Sequence, residues 1–350
     1  MQVLPDGIRI VAIADRGPGD GAAAFACRFH HLTLHVNPAT QPAVQVTLDD
    51  TILLRRPDGE PFTGLAAELS DCAGPAGSAV RRRLDPEAVR VLPGGNLLIA
   101  DEYWPGLVEF DPRGAFVRAW PVPEAFRCAR PAGTEAEELA TNTTGRQPNR
   151  GFEGLTLTPK GALWVMLQSP LLQDGALNAK QKRAGRNIRM LGYTAGTPDG
   201  PMAQVVYPLE SPSHGVNEIL ALDETRFLVI ERDGSAARFR RVYLADIAGA
   251  TDVSAIPALP ADALPDGVVP ARKTLLLDLA DPAFGIVAMP EKIEGLCFGP
   301  TLPDGRRTLV VVSDNDLRAD QATWFWVFGL PPEHPKAAPS PPRPAHPASS

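Results

Sequence analysis

Four glutamates, Glu87, Glu153, Glu218 and Glu294, recur at intervals of 66, 65 and 76 residues, each opening an apolar stretch. A turn rich in Pro, Gly and Asp follows, then a second apolar stretch that ends on a polar residue: Asp101, Gln168, Glu231 or Asp314. Asp15, after Arg9-Ile-Val-Ala-Ile-Ala14, ends a fifth such stretch. Carboxylates drawn together repel and raise one another's pKa unless a cation neutralises them. Oxygen ligands of this kind suit Ca2+, whereas Mg2+ demands stricter octahedral placement and fits less well. Asp15, Glu87, Asp101, Glu102, Glu231 and Asp314 are the expected metal ligands, and Glu153, Glu218 and Glu294 the expected reacting carboxylates. Basic and amide groups stand beside them: Arg16, Arg150, Arg232, Lys292, Gln168 and Asn315. Guanidinium forks match phosphate oxygens and Lys adds a point charge, so these six are the expected substrate-binding set.

Such a site requires the glutamates to meet in space, and the repeated phrase supplies the means. Each phrase reads as two antiparallel strands, so the end of the second returns to the face where the first begins. Third strands are expected at Phe29–Val36, Gly106–Phe110, Asn187–Tyr193, Phe239–Leu244 and Thr323–Leu330. Fourth strands are expected at Ala43–Leu54, Phe116–Val122, Ala203–Leu209 and Thr274–Leu279. They carry the Val, Ile, Leu and Phe content of strands, bounded by Gly, Pro and Asp. Four-stranded antiparallel units repeated around a ring are the blades of a β-propeller, with the first strands lining the channel. The chain is therefore expected to be an all-β propeller of five visible blades over residues 1–330. A sixth blade has room in 57–86 or upstream. The first strand of the first blade is expected upstream of Met1, and the last blade lacks a fourth strand. Residues 57–86, 124–150 and 249–272 are insertions expected to shape a mouth. The Pro/Ala/Ser-rich residues 331–350 are expected to be disordered.

Composition agrees. The 350 residues are 44% hydrophobic and 21% charged, and 37 Pro with 31 Gly punctuate many short elements. A net charge of −7 disfavours a nucleic-acid partner, which needs a basic footprint. No apolar run is long enough to span a membrane, and no signal peptide is visible at Met1. The six His, two of them in the tail, argue against a His-rich zinc or copper site. Cys27, Cys72, Cys128 and Cys297 show no CxxC spacing; one disulfide among the first three is left open.

The wording of the repeats is specific. The phrases Ala14-Asp15-Arg16-Gly17, Asp85-Pro86-Glu87-Ala88, Ala100-Asp101-Glu102-Tyr103, Asn149-Arg150-Gly151-Phe152-Glu153-Gly154-Leu155, Leu167-Gln168-Ser169-Pro170-Leu171, Leu228-Val229-Ile230-Glu231-Arg232-Asp233, Ile293-Glu294-Gly295-Leu296 and Val312-Ser313-Asp314-Asn315-Asp316 together resemble the bacterial esterase-like-activity-of-phytase family, in order, over about residues 8–330. The resemblance implies a propeller, secreted or periplasmic, that hydrolyses phosphate or carboxylate esters. The chain departs from it at Ala88, where a Gly usually follows the Glu.

No G-x-S-x-G elbow, H-E-x-x-H, P-loop or dinucleotide fingerprint occurs, so any ester chemistry belongs to the channel mouth. The expected function is Ca2+-dependent hydrolysis of a small-molecule phosphate ester by a monomer. The alternatives are a ligand-binding propeller with structural Ca2+, and a metal-dependent lactonase or carboxylesterase. The bland reading of the glutamates is that they cap strand ends. His214 is the one histidine expected near the mouth, where it could act as a general acid or base; the reading preferred is a solvated loop residue.

Overall fold

The computed structural model describes residues 2–4, 7–196, 199–234, 238–286 and 289–330. In chain order, β1 (Gln2–Leu4), β2 (Gly7–Ile13), β3 (Arg28–Val36) and β4 (Val44–Leu53) form a first antiparallel meander. A separate hairpin, β5 (Asp71–Ala73) with β6 (Ala79–Arg81), precedes the second: β7 (Pro86–Val91), β8 (Leu97–Asp101), β9 (Gly106–Phe110) and β10 (Phe116–Trp120). A short helix, α1 (Glu135–Thr141), precedes the third: β11 (Phe152–Leu157), β12 (Leu163–Leu167), β13 (Asn187–Tyr193) and β14 (Pro201–Pro208). The fourth is β15 (Gly215–Ala221), β16 (Arg226–Arg232), β17 (Arg240–Asp246) and β18 (Arg272–Asp278). The fifth holds β19 (Ile293–Phe298), β20 (Thr308–Ser313) and β21 (Phe325–Gly329).

These five sheets are the blades of a propeller. Neighbouring first strands pack side by side, β7 with β11, β11 with β15 and β15 with β19, while β2 meets β7. The middle strands β8, β9, β12 and β13 are buried throughout, because each is covered by a blade on either side. Their apolar runs are therefore continuous, not alternating. The outermost strands β4, β10 and β18 are largely exposed and carry the polar residues.

Two expectations about ring closure are corrected. The inner position of the first blade is filled by β1, which pairs with Arg9, Ile8 and Gly7, the half of β2 distant from the channel mouth. Between β4 and β7 the chain forms the two-stranded β5–β6 hairpin and not a further blade, so the ring has five blades. Among the described residues the fifth blade has three strands, and it meets the first blade by side-chain packing. Ile8, Ile10 and Leu34 of the first blade form one core with Val310 of the fifth, flanked by Val312, Phe325 and Val327. The expected disorder of 331–350 falls outside the described residues. All four cysteines are free, which removes the disulfide left open above.

The insertions are anchored individually. Residues 249–272 cover β14 through Val253 and Leu259, packed on Val206. Arg189 of β13 holds this cover. Its guanidinium pairs with buried Asp174 at 2.7 and 2.9 Å and donates to the carbonyls of Val253 and Ile256.

Because closure rests on apolar packing, the seam is where truncation should be felt. Leu34, fully buried there, is expected to cost about 2–5 kcal/mol as Leu34→Ala. The exposed Leu48→Ala on β4 should change stability by no more than about 0.5 kcal/mol. Urea unfolding of both variants checks this; equal midpoints would show that the seam does not support the fold.

Candidate functional site

One backbone device aims the acids. In β7, Pro86 pairs with Asp101 and Ala88 with Ala100, leaving Glu87 as an extra, bulged residue. The same slip leaves out Glu153 between Phe152 and Gly154, and Glu294 between Ile293 and Gly295. A bulge re-aims the extra side chain away from the ladder, here toward the mouth. In the fourth blade the skipped residue is Asn217, between Val216 and Glu218. The ring at the mouth is thus Glu87, Glu153, Asn217 and Glu294.

Glu218, expected to be a reacting carboxylate, stands one position deeper, in register with Gly154, Ala88 and Gly295. Its oxygens accept from Arg90 at 2.9 Å and from the N–H groups of Leu155 and Ile219 at 3.2 and 2.8 Å. Those bonds tie three blades together across the channel. Gly154 permits the approach, since a Cβ there would lie 2.9 Å from the Ile219 nitrogen.

The acids do converge. Carboxylate oxygens of Asp85, Glu87 and Glu102 lie within 4.8 Å of one another, all in buried or half-buried residues. Glu87 is within hydrogen-bonding reach of both Asp85 and Glu153. Glu102 Oε1 and Glu153 Oε2 are buried without a hydrogen-bond partner, as is Asn217 Oδ1. Burial, then the neighbouring carboxylates, pushes Glu87 and Glu153 well above the usual carboxylate range. Burial and Asp85 push Glu102 up to about 8, despite Arg16 and Arg150. Burial, with Asp85 and Asp314 beside it, pushes Asp15 up to about 7. Asp101 is also pushed up to about 7 by burial, but its oxygens hold the N–H groups of Asp85 and Trp104 at 2.7 and 3.2 Å. It pins the cluster from behind.

A second group, Asp15, Asp314 and Asp316, lies alongside. Lys292 reaches into it, bonding Asp316 and standing 3.5 Å from Asp314 and 4.0 Å from Asp15. Arg16 lies between Asp20 at 2.7 Å and Asp85 at 3.2 Å. Arg232 pairs with Glu294 at 2.5 Å, next to Glu153. Asn315, expected at the substrate, closes its own loop: it accepts from the Leu317 N–H and donates to the Gln321 carbonyl.

Basic groups stand near the acids. Arg150 bonds Gln168. Arg183 donates to the Ser213 carbonyl at 3.3 Å, and burial together with Arg150 and Arg232 pushes its guanidinium down to about 10. Among the described residues neither Arg150 nor Arg183 has a carboxylate within 4.0 Å. Glu231, expected to be a metal ligand, is committed elsewhere. Oε1 accepts from His214 and the Glu210 N–H, and Oε2 from Tyr207 and Lys273, so all four acceptor positions are filled.

Sequence reasoning missed Asp85, Asn217 and Arg183. Asp85 and Asn217 each adjoin an acid of the repeat, and that adjacency was the available signal. Arg183 stands in the irregular stretch between β12 and β13, where no periodicity marks it.

Fold and site together define a propeller with a buried acidic cluster at the start of its first strands and arginines close by. The chain matches the family described as "Esterase-like activity of phytase" over residues 1–317, and it belongs to that phytase-like family. It is 31% identical over 250 residues to an "Uncharacterized secreted protein" of Arthroderma benhamiae, matching 58% of this chain and 48% of that protein. The match thus spans about half the length of that curated relative. Among solved structures, virginiamycin B lyase of Staphylococcus aureus aligns with a TM-score of 0.31 and 10% identity over 92% of this chain and 89% of its own. The Malassezia sympodialis allergen Mala s 1 aligns at 0.34 and 9% identity, over 93% and 96%. Neither of these two likenesses bears on the activity of this chain.

Acids whose pKa is raised by folding bind protons more tightly in the native state than in the unfolded one. Their contribution is present at low pH and is lost as pH rises through the folded values. For Asp15, Asp101 and Glu102 that loss runs from the ordinary carboxylate range near pH 4 to about 8. Metal-stripped protein is therefore expected to melt at a lower temperature at pH ~8 than at pH ~5. A melting temperature that is flat or rises over that interval would contradict the buried, crowded cluster.

Proposed function

We propose that the protein is a Ca2+-dependent hydrolase of phosphate esters acting at this mouth. The observation that carries the reading is the pairing of buried, unpartnered carboxylate oxygens, Glu102 Oε1 and Glu153 Oε2, with the arginines Arg150 and Arg183 close by. Such oxygens are costly to bury unless a cation completes them. The donor set is all oxygen, which suits a hard cation and not zinc or copper.

Asp85, Glu87 and Glu102 would hold the ion, with Glu153 and Asn217 at its edge. When bound, Ca2+ supplies a Lewis acid that polarises an ester oxygen and acidifies water. The rest falls to the chain. Arg150 and Arg183 grip the anionic group, each able to present a planar fork to two oxygens. Gln168 orients Arg150. Arg232 holds Glu294 beside Glu153. Lys292 offsets part of the charge of Asp15, Asp314 and Asp316 and so lessens the repulsion of an anionic substrate on that side.

Membership of the phytase-like family supports ester hydrolysis as the class of activity. The secreted relative supports an extracytoplasmic location, and no described helix is long and apolar enough to cross a membrane. A small-molecule substrate fits a mouth of this kind.

Added Ca2+ is expected to raise the melting temperature of EDTA-treated protein and to restore hydrolysis of p-nitrophenyl phosphate. Glu102→Gln should lose both responses. Ca2+ stabilisation with no turnover on any phosphate ester would leave a binding propeller. Arg183→Ala should raise KM by about 10- to 100-fold, the worth of a charge-assisted bond, with an unchanged melting temperature. An unchanged KM would remove Arg183 from the substrate site.

A further inference from the structure

His214 and Glu231 form a pair that the metal reading does not use. Glu231 is fully buried at the mouth end of β16, opposite Val216. His214 Nδ1 lies 3.0 Å from Glu231 Oε1, and the ring lies against Phe239 with centroids 4.0 Å apart and planes tilted by 35°. The residue is 9% exposed, so the imidazole is fixed and not solvated. Burial alone would push Glu231 up, yet His214 and Lys273 hold it below the usual carboxylate range. A carboxylate only accepts, so Nδ1 carries the hydrogen and Nε2 presents its lone pair. Among the described residues Nε2 has no protein partner, and it is not sealed from solvent.

The pair's neighbours place it near the basic groups of the mouth. Ser213, one residue before, accepts from Arg183. Gly215, one residue after, packs on Gln168, where a Cβ would lie 3.0 Å from Cγ; Gln168 in turn holds Arg150. Gly215 also pairs with Arg232 in the sheet. The loop that carries the ring is therefore anchored, through Ser213 and Gly215, against Arg183 and against the Gln168 that holds Arg150, the two arginines proposed to meet the anionic group.

We propose that His214, positioned by Glu231, is the proton-transfer residue of the mouth. This rests on the ester-hydrolase reading above. As the oxygen of water bonds to the ester phosphorus, Nε2 takes the proton that water gives up. The bond to the leaving oxygen breaks, and that oxygen takes the proton back from Nε2–H, giving the alcohol and phosphate and restoring neutral imidazole. Glu231 keeps Nδ1–H throughout and stabilises the imidazolium while it exists. The other charged or titratable groups around the pair are Lys273 and Glu210, which bond one another at 2.9 Å, the phenols Tyr207 and Tyr243, and Arg241 over Phe239. None of these offers a second ring nitrogen to the mouth.

The test is His214→Asn in the full chain. Asparagine keeps a donor where Nδ1 stood, so the bond to Glu231 survives while Nε2 is lost. Turnover of p-nitrophenyl phosphate is measured against pH with Ca2+ present. The expected result is a fall in kcat of about 100- to 10,000-fold, and loss of the low-pH limb of kcat/KM. KM should change by less than about threefold. Imidazole added to His214→Ala should restore part of the rate, which a merely structural role would not allow. If His214→Asn is destabilised, that rescue decides alone, and its absence overturns the proposal. A His214→Asn rate within about twofold of wild type, with the same pH profile, overturns it while leaving the hydrolase reading intact. Wild-type protein that turns over no phosphate ester overturns both.

Discussion

Like charges buried together at one end of a closed ring are the constraint on which the mouth depends. Asp85, Glu87, Glu102 and Glu153 are held close by strands that have other reasons to be where they are. The blades must pack to cover their apolar middle strands, and that packing leaves the carboxylates no room to separate. What remains is protonation or a counter-cation. Both occur around the opening: burial raises the pKa of Glu102 even beside Arg16 and Arg150, and Lys292, Arg16 and Arg232 pair with Asp316, Asp85 and Glu294. A mouth in this condition is poised for a cation of higher charge, because each unpartnered oxygen gains by coordination what burial took from its hydration.

The bulge that opens each first strand converts a repeat in sequence into convergence in space. Without the extra residue, Glu87, Glu153 and Glu294 would take ordinary ladder positions, and a one-residue change of register turns a side chain to the opposite face. Gly154, next to its bulge, has no side chain and lets β15 close on β11. The Ala at position 88 shows that a methyl is tolerated one blade earlier. Glu218 occupies the equivalent place in the fourth blade and uses it to tie β7 and β11 through Arg90 and the Leu155 N–H.

Strands were legible where period and punctuation coincide. Gly106–Phe110 and Asn187–Tyr193 match the expected bounds residue for residue, because apolar runs there stop at Gly, Pro or Asp. β1 was not legible: three residues before a Pro carry too little pattern to mark a strand. The acids of the site were legible as a class, but their register was not. Asn217 and Glu218 are adjacent, and only the pairing with β16 decides which is the bulged one. Glu231 looked equivalent to Asp101 along the chain, and so it is in the sheet. Its partners come from β14, β18 and the loop before β15, which no local pattern reveals. Arg183 and the packing of His214 escaped for the same reason: both depend on irregular segments whose course is set by tertiary contact.

The two sides of the mouth differ because the blades beneath them differ. Blades one, two and five end their second strands in acid-rich loops, Asp15–Asp20, Asp101–Glu102 and Asp314–Asp316. Blades three and four end theirs in Gln168 and Glu231-Arg232. The third blade also carries the long stretch that delivers Arg183. An anionic ester entering such a mouth is repelled from one side and drawn to the other, so its approach is oriented before any contact forms. On the proposed function, an ester so oriented would present its charged end to Arg150 and Arg183 and its scissile bond toward the acids. Lys292 offsets part of the charge of Asp314 and Asp316, which would let the acidic side tolerate that approach, while Glu102 and Glu153 each keep a carboxylate oxygen without a hydrogen-bond partner. A uniformly acidic ring could hold an ion but would repel the substrate, and a uniformly basic one would do the reverse. The five blades share one framework, and their differences at the mouth make both possible at once.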